Sequence, residues 1–180
     1  MEHLIEHKKY YSSDVEREIL LSLITNSSIE SSFFLTGGTA LSLFYLQHRL
    51  SDDLDFFTID STQNLSDIDF WIKRMWLQDC VKIKESPNFL SYLIKGTKVD
   101  FVIDLLSNKE DRPIILFENR HHLLVDTINN IVSNKFCAIV SRIEPKDFID
   151  FYFIKKVLLP KIDIEDIYNN AKFPFSATLQ

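Results

Sequence analysis

The spacing of apolar residues predicts alternating helices and strands in the first half of the chain. Residues 14–24 carry apolar side chains three and four positions apart, which is typical of an amphipathic helix with Ser13 as its N-cap. A short apolar run at 33–35 ends at a glycine pair and favours a buried strand. Residues 39–48 are apolar on nearly all sides and favour a buried helix. A strand at 54–59 and a helix at 67–77 complete this half.

The middle of the chain is β-like and the last third is helical. We expect strands at 81–84, 89–94 and 98–103, with Gly96-Thr97 as the turn between the last two, and a further strand at 123–125. Helical spacing then covers 126–142, 146–158 and 162–170, with Pro145 in a first turn and Pro160 at an end. The pattern predicts an α+β fold. A mixed β-sheet core with flanking helices would occupy residues 1–125, and a small C-terminal helical lobe residues 126–180.

Composition and charge narrow the class of protein. The chain is 46% hydrophobic and 26% charged, as ordinary folded proteins are. Its net charge of −6 argues against a protein that coats nucleic acid without specificity. Lysines between residues 73 and 98 form either a local basic groove or the solvated side of strands. Cys80 and Cys137 give no disulfide framework, and no signal peptide or membrane span is evident. We therefore expect a cytoplasmic protein with no membrane partner.

Two acids one residue apart suggest a metal site. On a strand, Asp53 and Asp55 point to the same face, whereas Leu54 and Phe56 point to the core. Two adjacent carboxylates repel each other unless a cation lies between them, and Mg²⁺ that bridges nucleotide phosphates is such a cation. The alternative interpretation is a solvated acidic loop.

The residues upstream and downstream favour the metal interpretation. Gly37, Gly38 and Thr39 stand between a strand and a helix, where the backbone can approach a phosphate closely. A third acid is expected on a neighbouring strand. Asp100 and Asp104 both qualify, and Asp100 is preferred because it lies within the strand.

One lysine conflicts with the pattern of its helix. Lys135 falls near the middle of an apolar stripe, where an ammonium group must reach water or meet an anion. Either it extends along the helix side into solvent, or it reaches the phosphates of a bound nucleotide. His121-His122, a pair without nearby ligands in the sequence, is a weak metal signal.

Taken together, these motifs resemble the AbiEii/AbiGii-type nucleotidyltransferase toxins of the DNA polymerase β superfamily. The resemblance lies in residues 37–41 (GGTAL), in residues 48–56 (HRLSDDLDF), in Val99-Asp100 and in Lys135. It ends with Arg142 and residues 146–150 (KDFID). With gaps it runs from Phe33 to Tyr152.

The resemblance implies a nucleotidyltransferase-like fold and transfer of a nucleoside monophosphate from an NTP to an acceptor hydroxyl, with two Mg²⁺ ions. It also implies the toxin of a bacterial toxin–antitoxin or phage-defence pair, with an antitoxin protein as partner and RNA (the tRNA 3′ end) or protein as acceptor. The implied metal ligands are Asp53, Asp55 and Asp100. Lys135 and Asp147 join these acids as catalytic residues, and the implied nucleotide-binding residues are Gly37, Gly38, Thr39, Arg49, Ser51 and Lys135.

Several of these roles have alternatives. Arg49 and Ser51 either touch phosphate or brace the turn before Asp53, and Asp147 either works in the site or stabilises the start of its helix. A phosphatase with an Asp-x-Asp nucleophile is a different class of enzyme, but it requires an apolar strand leading into Asp53. A catalytically inactive member that binds a nucleotide or a partner is the main alternative function. Many relatives have a larger helical C-terminal part.

Overall fold

The protein forms two compact units, Met1–Asp126 and Thr127–Gln180. The computed structural model describes residues 4–107 and 109–170, with side chains up to residue 167. Of the helices in the described part of the chain, none is long and apolar enough to cross a bilayer.

Unit 1 is built on one mixed sheet. Its strands are β1 (Phe34–Thr36), β2 (Asp53–Thr58), β3 (Cys80–Ser86), β4 (Phe89–Ile94), β5 (Thr97–Ile103), β6 (Ile114–Leu116) and β7 (His122–Val125). Their order across the sheet is β3-β4-β5-β2-β1-β7-β6. The β2/β5 and β1/β7 pairs are parallel, and the other pairs are antiparallel. This confirms the predicted mixed sheet and the α+β class.

Helices accompany the sheet in unit 1. They are α1 (Asp14–Leu23), α2 (Ser27–Ser32), α3 (Gly37–Ala40), which continues as a π-helical turn (Leu41–Tyr45), and α4 (Leu65–Trp76). A 3₁₀ turn (Lys8–Tyr10) precedes them. Ser13 caps α1 as predicted, because its side chain accepts a hydrogen bond from the Glu16 N–H. The buried helix predicted at 39–48 begins two residues earlier, at Gly37, and ends with the π-helical turn at Tyr45.

Unit 2 is helical. It comprises α5 (Ile128–Arg142), α6 (Pro145–Phe153) with a π-helical extension (Ile154–Leu158), and α7 (Ile164–Asn170). Thr127 caps α5 through its side chain, and Pro145 occupies the first turn of α6. Ile143 ends α5 in the left-handed conformation, with φ 53°. The predicted helical lobe is thus present, with its helices starting up to two residues away from the predicted positions.

The packing of the unit 1 core shows which side chains of β2 lie outside it. Phe101 packs edge-on against Phe33 and stacks on Phe56, with ring centroids 5.7 and 5.4 Å apart. Along β2 the side chains alternate, so that Leu54 and Phe56 are fully buried. Residues two apart share a face of a strand. The acids between these core residues therefore lie on the opposite face of the sheet.

Candidate active site

Strand register brings two of the predicted acids side by side. Asp55 on β2 pairs with Asp100 on β5, and on its other side it pairs with Thr36 on β1. Residues directly opposite each other in a sheet have their Cβ atoms about 4.5–5.5 Å apart. Asp53, two residues before Asp55, lies on the same face and pairs with Lys98. The three carboxylates therefore form one acidic group on adjacent strands.

Asp100 is held by two neighbours. The Ser91 hydroxyl, on β4, donates a hydrogen bond of 2.5 Å to Oδ1, and Lys98 Nζ lies 2.5 Å from Oδ2. Asp100 is only 8% exposed. Asp104, the other candidate for the third acid, lies beyond the end of β5, where its carboxylate accepts hydrogen bonds from the Leu106 N–H and the Ser107 hydroxyl. The geometry thus favours Asp100.

Lys98 is a residue whose importance sequence reasoning missed. Its partial burial would lower the pKa of the ammonium group. The hydrogen bond to Asp100 and the charges of Asp100, Asp53 and Asp55 outweigh burial and raise that pKa. Lys98 therefore carries a positive charge among the three acids and offsets part of their repulsion. Its position two residues before Asp100, on the same strand face, was the signal in the sequence.

The glycine pair touches the acidic group and its flanking loop. A Cβ atom on Gly37 would lie 2.6 Å from Asp55 Oδ2, and Gly37 has φ +72°. A Cβ atom on Gly38 would lie 2.6 Å from Arg49 Nη2 and 2.7 Å from Ser51 Oγ. All three distances are shorter than those found for real Cβ atoms. At Gly37 the positive φ adds backbone strain for any other residue, whereas at Gly38 the side chains of Arg49 and Ser51 would have to move.

The remaining residues of the glycine turn act through contacts within the protein. Thr39 is 1% exposed, and its hydroxyl donates a hydrogen bond to the Asp53 carbonyl oxygen. It ties the start of α3 to the start of β2. Ser42 donates to the Gly38 carbonyl oxygen at 2.9 Å. Arg49 and Ser51, whose side chains lie against Gly38, are placed to brace the turn, one of the two roles considered for them.

The donor set suits a hard cation. Carboxylate oxygens are the protein ligands that Mg²⁺ prefers, and it commonly uses one or two of them together with substrate phosphates and water. Across 4–107 and 109–170, no group of three or more His, Cys, Asp or Glu side chains is arranged to hold an ion by itself. Asp53 and Asp55 are both partly exposed, so their oxygens are accessible to an ion that arrives with a nucleotide.

Lys135 belongs to a buried charge cluster in unit 2. Its Nζ lies 3.0 Å from Asp147 Oδ1 and 2.7 Å from Asp150 Oδ2, and both acids are fully buried. Arg142 also binds Asp147, through Nε at 2.8 Å and Nη2 at 3.0 Å. The ammonium group does not extend into solvent, which was one of the two alternatives for it. Its anionic partners here are two aspartates of the next helix.

The same cluster sets the ionisation of Asp147. Burial opposes the charged form, but hydrogen bonds from Arg142 and Lys135 outweigh it and lower the pKa of this carboxyl. Asp147 is therefore charged at neutral pH. The structure gives the side chain a role in the cluster as well as its place in the first turn of α6.

The histidine pair has a partner that the sequence did not reveal. Nδ1 of His121 and Nδ1 of His122 lie 3.1 and 3.0 Å from Oε1 of Glu30 on α2. The His122 N–H donates to the same oxygen at 3.0 Å, and these contacts lower the pKa of Glu30. The three side chains join β7 to α2.

Comparison with known proteins identifies the family. A family profile described as the nucleotidyl transferase AbiEii toxin of a type IV toxin–antitoxin system matches residues 18–172. The chain belongs to the AbiEii nucleotidyltransferase toxin family. The resemblance found in the sequence is confirmed, and with it membership of an enzyme family. The uncharacterised protein aq_aa25 of Aquifex aeolicus (strain VF5) is 32% identical over 149 residues, which are 78% of this chain and 66% of that protein.

Solved structures show the fold of this AbiEii-family chain. JHP933 from Helicobacter pylori has 23% sequence identity and a TM-score of 0.57, over 88% of this chain and 73% of that one. ANT(2″)-Ia, solved in complex with adenylyl-2″-tobramycin, has 12% identity and a TM-score of 0.53, over 87% and 95%. At these identities the likeness is one of fold, and it confirms the nucleotidyltransferase-like core.

Proposed function

We propose that this AbiEii-family chain is a metal-dependent nucleotidyltransferase that moves a nucleoside monophosphate from an NTP to an acceptor hydroxyl. One observation carries the proposal. The Asp55 carboxylate lies against the backbone of Gly37 and beside Asp100 in strand register. A triphosphate at the glycine turn would therefore meet the acidic group directly.

The acids and the glycine turn divide the work of binding the NTP. Asp53, Asp55 and Asp100 are the proposed ligands of two Mg²⁺ ions, which supply charge neutralisation at the phosphates and make the acceptor hydroxyl easier to deprotonate. Gly37 and Gly38 let the main chain approach the phosphates. Positioning and neutralisation of charge supply most of the catalysis in such a site.

The side chains around the turn keep this geometry. Thr39 fixes β2 relative to α3, and its proposed contribution to nucleotide binding is this positioning. Arg49 and Ser51 lie against Gly38, from where the guanidinium can also neutralise a phosphate oxygen. Lys98 balances the acids while no cation is bound. Lys135 and Asp147 remain proposed catalytic residues on the strength of the family resemblance.

The proposed reaction transfers a nucleoside monophosphate from the NTP to the acceptor hydroxyl. The acceptor oxygen attacks the α-phosphorus, the bond from that phosphorus to the oxygen bridging the β-phosphate breaks, and pyrophosphate leaves with the electron pair. The acceptor proton passes to solvent.

Family membership favours the toxin half of a bacterial toxin–antitoxin pair, acting in the cytoplasm and restrained by an antitoxin protein. The proposed acceptors are RNA, with the tRNA 3′ end first, and protein.

Labelled nucleotides test this function. The chain would be incubated with each NTP labelled at the α- or the γ-phosphate, with Mg²⁺ and with total bacterial RNA or protein. Transfer of a monophosphate places the α label on the acceptor and leaves the γ label in pyrophosphate. Label from the γ-phosphate on the acceptor would instead indicate a kinase. No transfer under any combination would favour the alternative, an inactive member that binds nucleotide.

Binding gives a second measurement. A ligand at ~100 times its Kd adds about 2.7 kcal/mol to the free energy of unfolding, so NTP with Mg²⁺ should raise the melting temperature. NTP with EDTA should raise it much less, because its phosphates would then face Asp53 and Asp55 without a bridging cation. Equal stabilisation in both conditions would contradict the proposed metal site.

A further inference from the structure

The polar residues of the site continue one strand further across the sheet. Ser91, Asp100, Asp55 and Thr36 pair in sequence across β4, β5, β2 and β1. The Thr36 hydroxyl donates a 2.6 Å hydrogen bond to Oδ2 of Asp126, which directly follows β7. We call these five residues the polar row. Asp126 lies at one end of the polar row, and the function proposed above assigns no role to it.

Asp126 is fixed at four of its atoms. Its N–H donates to the Leu35 carbonyl oxygen at 2.9 Å, and its own carbonyl oxygen accepts from the Tyr45 hydroxyl at 2.7 Å. Arg112 Nε lies 3.4 Å from Oδ1, and Thr36 binds Oδ2. The residue is fully buried. A carboxylate held in this way is a fixed hydrogen-bond acceptor for the Thr36 hydroxyl.

Arg112 supplies a positive charge that offsets the cost of burying the Asp126 carboxylate. Its guanidinium lies 3.6 Å from the centroid of the Phe34 ring, and its side chain is 7% exposed. Buried carboxylates are costly unless they are paired and hydrogen-bonded. The pairing with Arg112 offsets the cost of burying Asp126, which accepts a hydrogen bond from Thr36.

Thr36 connects Asp126 to the proposed nucleotide site. It is the last residue of β1, it pairs with Asp55, and the next residue is Gly37. Gly37 has φ +72° and lies so close to Asp55 that no Cβ atom fits. A change in the direction of the chain at Thr36 therefore changes the gap between the glycine turn and Asp55.

We propose that Asp126 is a positioning residue for the nucleotide site. It holds the Thr36 hydroxyl and thereby sets the distance of the glycine turn from Asp55. This rests on the proposed function, because the turn is taken to bind the triphosphate. Asp126 acts only through Thr36.

Substitution of Thr36 separates positioning from packing. Thr36→Val keeps the shape and removes the hydroxyl, and Thr36→Ser keeps the hydroxyl. Thr58→Val is the matched control, because Thr58 is a fully buried threonine on β2 whose hydroxyl accepts from the Asp60 N–H. Both valine variants should lower the melting temperature. Assays are run well below that temperature, so that every variant is folded.

The KM values for the NTP and for the acceptor then distinguish positioning from packing. We expect Thr36→Val to raise KM for the NTP about tenfold or more, since small misplacements of a binding group have effects of this size. KM for the acceptor should stay unchanged, Thr36→Ser should restore KM for the NTP, and Thr58→Val should leave it at the wild-type level. Wild-type KM for the NTP in Thr36→Val would overturn the proposal, and so would an equal rise in Thr58→Val.

Amide hydrogen exchange measures the positioning without any transfer. The Leu41 N–H donates to the Gly37 and Gly38 carbonyl oxygens and so reports opening of the turn. Its exchange should be faster in Thr36→Val than in wild type, Thr36→Ser or Thr58→Val. If the wild-type chain transfers no nucleotide but this pattern holds, the proposed function fails and the positioning stands. Unchanged Leu41 exchange in Thr36→Val overturns the positioning.

Discussion

Replacing Lys135 by methionine removes a positive charge from inside the helical unit. Methionine suits the apolar stripe on which Lys135 lies, so the helical period alone gives no reason for a loss of stability. The contacts of Lys135 give one. Nζ of Lys135 is within 3.0 Å of carboxylate oxygens of Asp147 and Asp150, and neither acid is exposed. The substitution leaves two buried anions with one cation fewer.

The expected cost follows from the burial of the partners. Removing one member of a buried ion pair costs about 3–5 kcal/mol. Arg142 still binds Asp147 through two hydrogen bonds, so the lower end of that range, about 3 kcal/mol, applies. In a protein of this size each kcal/mol shifts the melting temperature by about 2–4 °C, which predicts a decrease of about 6–12 °C.

Thermal unfolding at pH 7, followed by circular dichroism, measures the shift. Lys146→Met is the matched control, because Lys146 is half-exposed on α6, the helix that carries Asp147 and Asp150, and pairs with Glu144 at 3.2 Å. Exposed pairs contribute about 0–1 kcal/mol, so this variant should unfold within a few degrees of wild type. A melting temperature for Lys135→Met that equals that of Lys146→Met would refute the reasoning.

The pH dependence of stability gives an independent check. Asp147 has a pKa in the folded protein below its ordinary value of 3.8, against the effect of burial and because of Arg142 and Lys135. A lowered pKa contributes stability above the unfolded-state pKa, and this stability is lost as the pH falls through the folded-state pKa. Wild type should therefore lose this contribution below about pH 4. Lys135→Met removes one cause of the lowered pKa of Asp147, so the loss of stability on acidification should be smaller and should be complete at a higher pH than in wild type. Identical acid profiles would contradict the cluster.

Three further predictions concern the proposed site. Gly37→Ala should abolish most transfer, because the new Cβ would lie 2.6 Å from Asp55 Oδ2. Gly96→Ala is the control and should lower only stability, since Gly96 also has a positive φ, +89°, but a Cβ there has nothing within 4 Å. Equal activities of the two variants in the labelled-NTP assay would disprove this. Asp55→Asn should lower transfer by at least ~10², while the melting temperature holds or rises as repulsion among the acids is relieved. A variant with wild-type activity would remove Asp55 from the site. Expression of the wild-type chain in bacteria should slow growth, and Asp55→Asn should not; harmless expression of soluble, active protein would exclude a toxin role.

Local patterns in the sequence were sufficient to predict most of the helices and strands and part of the candidate site. The period of two along β2 separated Asp53 and Asp55 from the core residues Leu54 and Phe56, and the burial pattern confirms that separation. α2 was missed because only Ile29 of its six residues is buried, so it carries no apolar stripe. β6 was missed for a different reason, since it has only three residues and all of them are apolar, so it shows no alternation.

Partners that are distant in sequence were beyond the reach of these patterns. Lys135 looked like a residue that needed water or a phosphate, because its two aspartates lie on another helix. The Arg112–Asp126 pair was equally hidden, since Arg112 stands in an irregular segment without periodicity. Periodicity assigns a residue to a face, but it does not reveal what packs against that face.

The parallel pairing of β2 with β5 also has a consequence for folding. Asp55 and Asp100 are neighbours in the sheet although α4, β3 and β4 lie between them in the chain. Pairing of strands so far apart requires closure of a long loop, which slows folding relative to local structure. During synthesis the acidic group cannot be complete until β5 has left the ribosome. A toxin built this way would stay inert as a nascent chain until β5 has paired with β2.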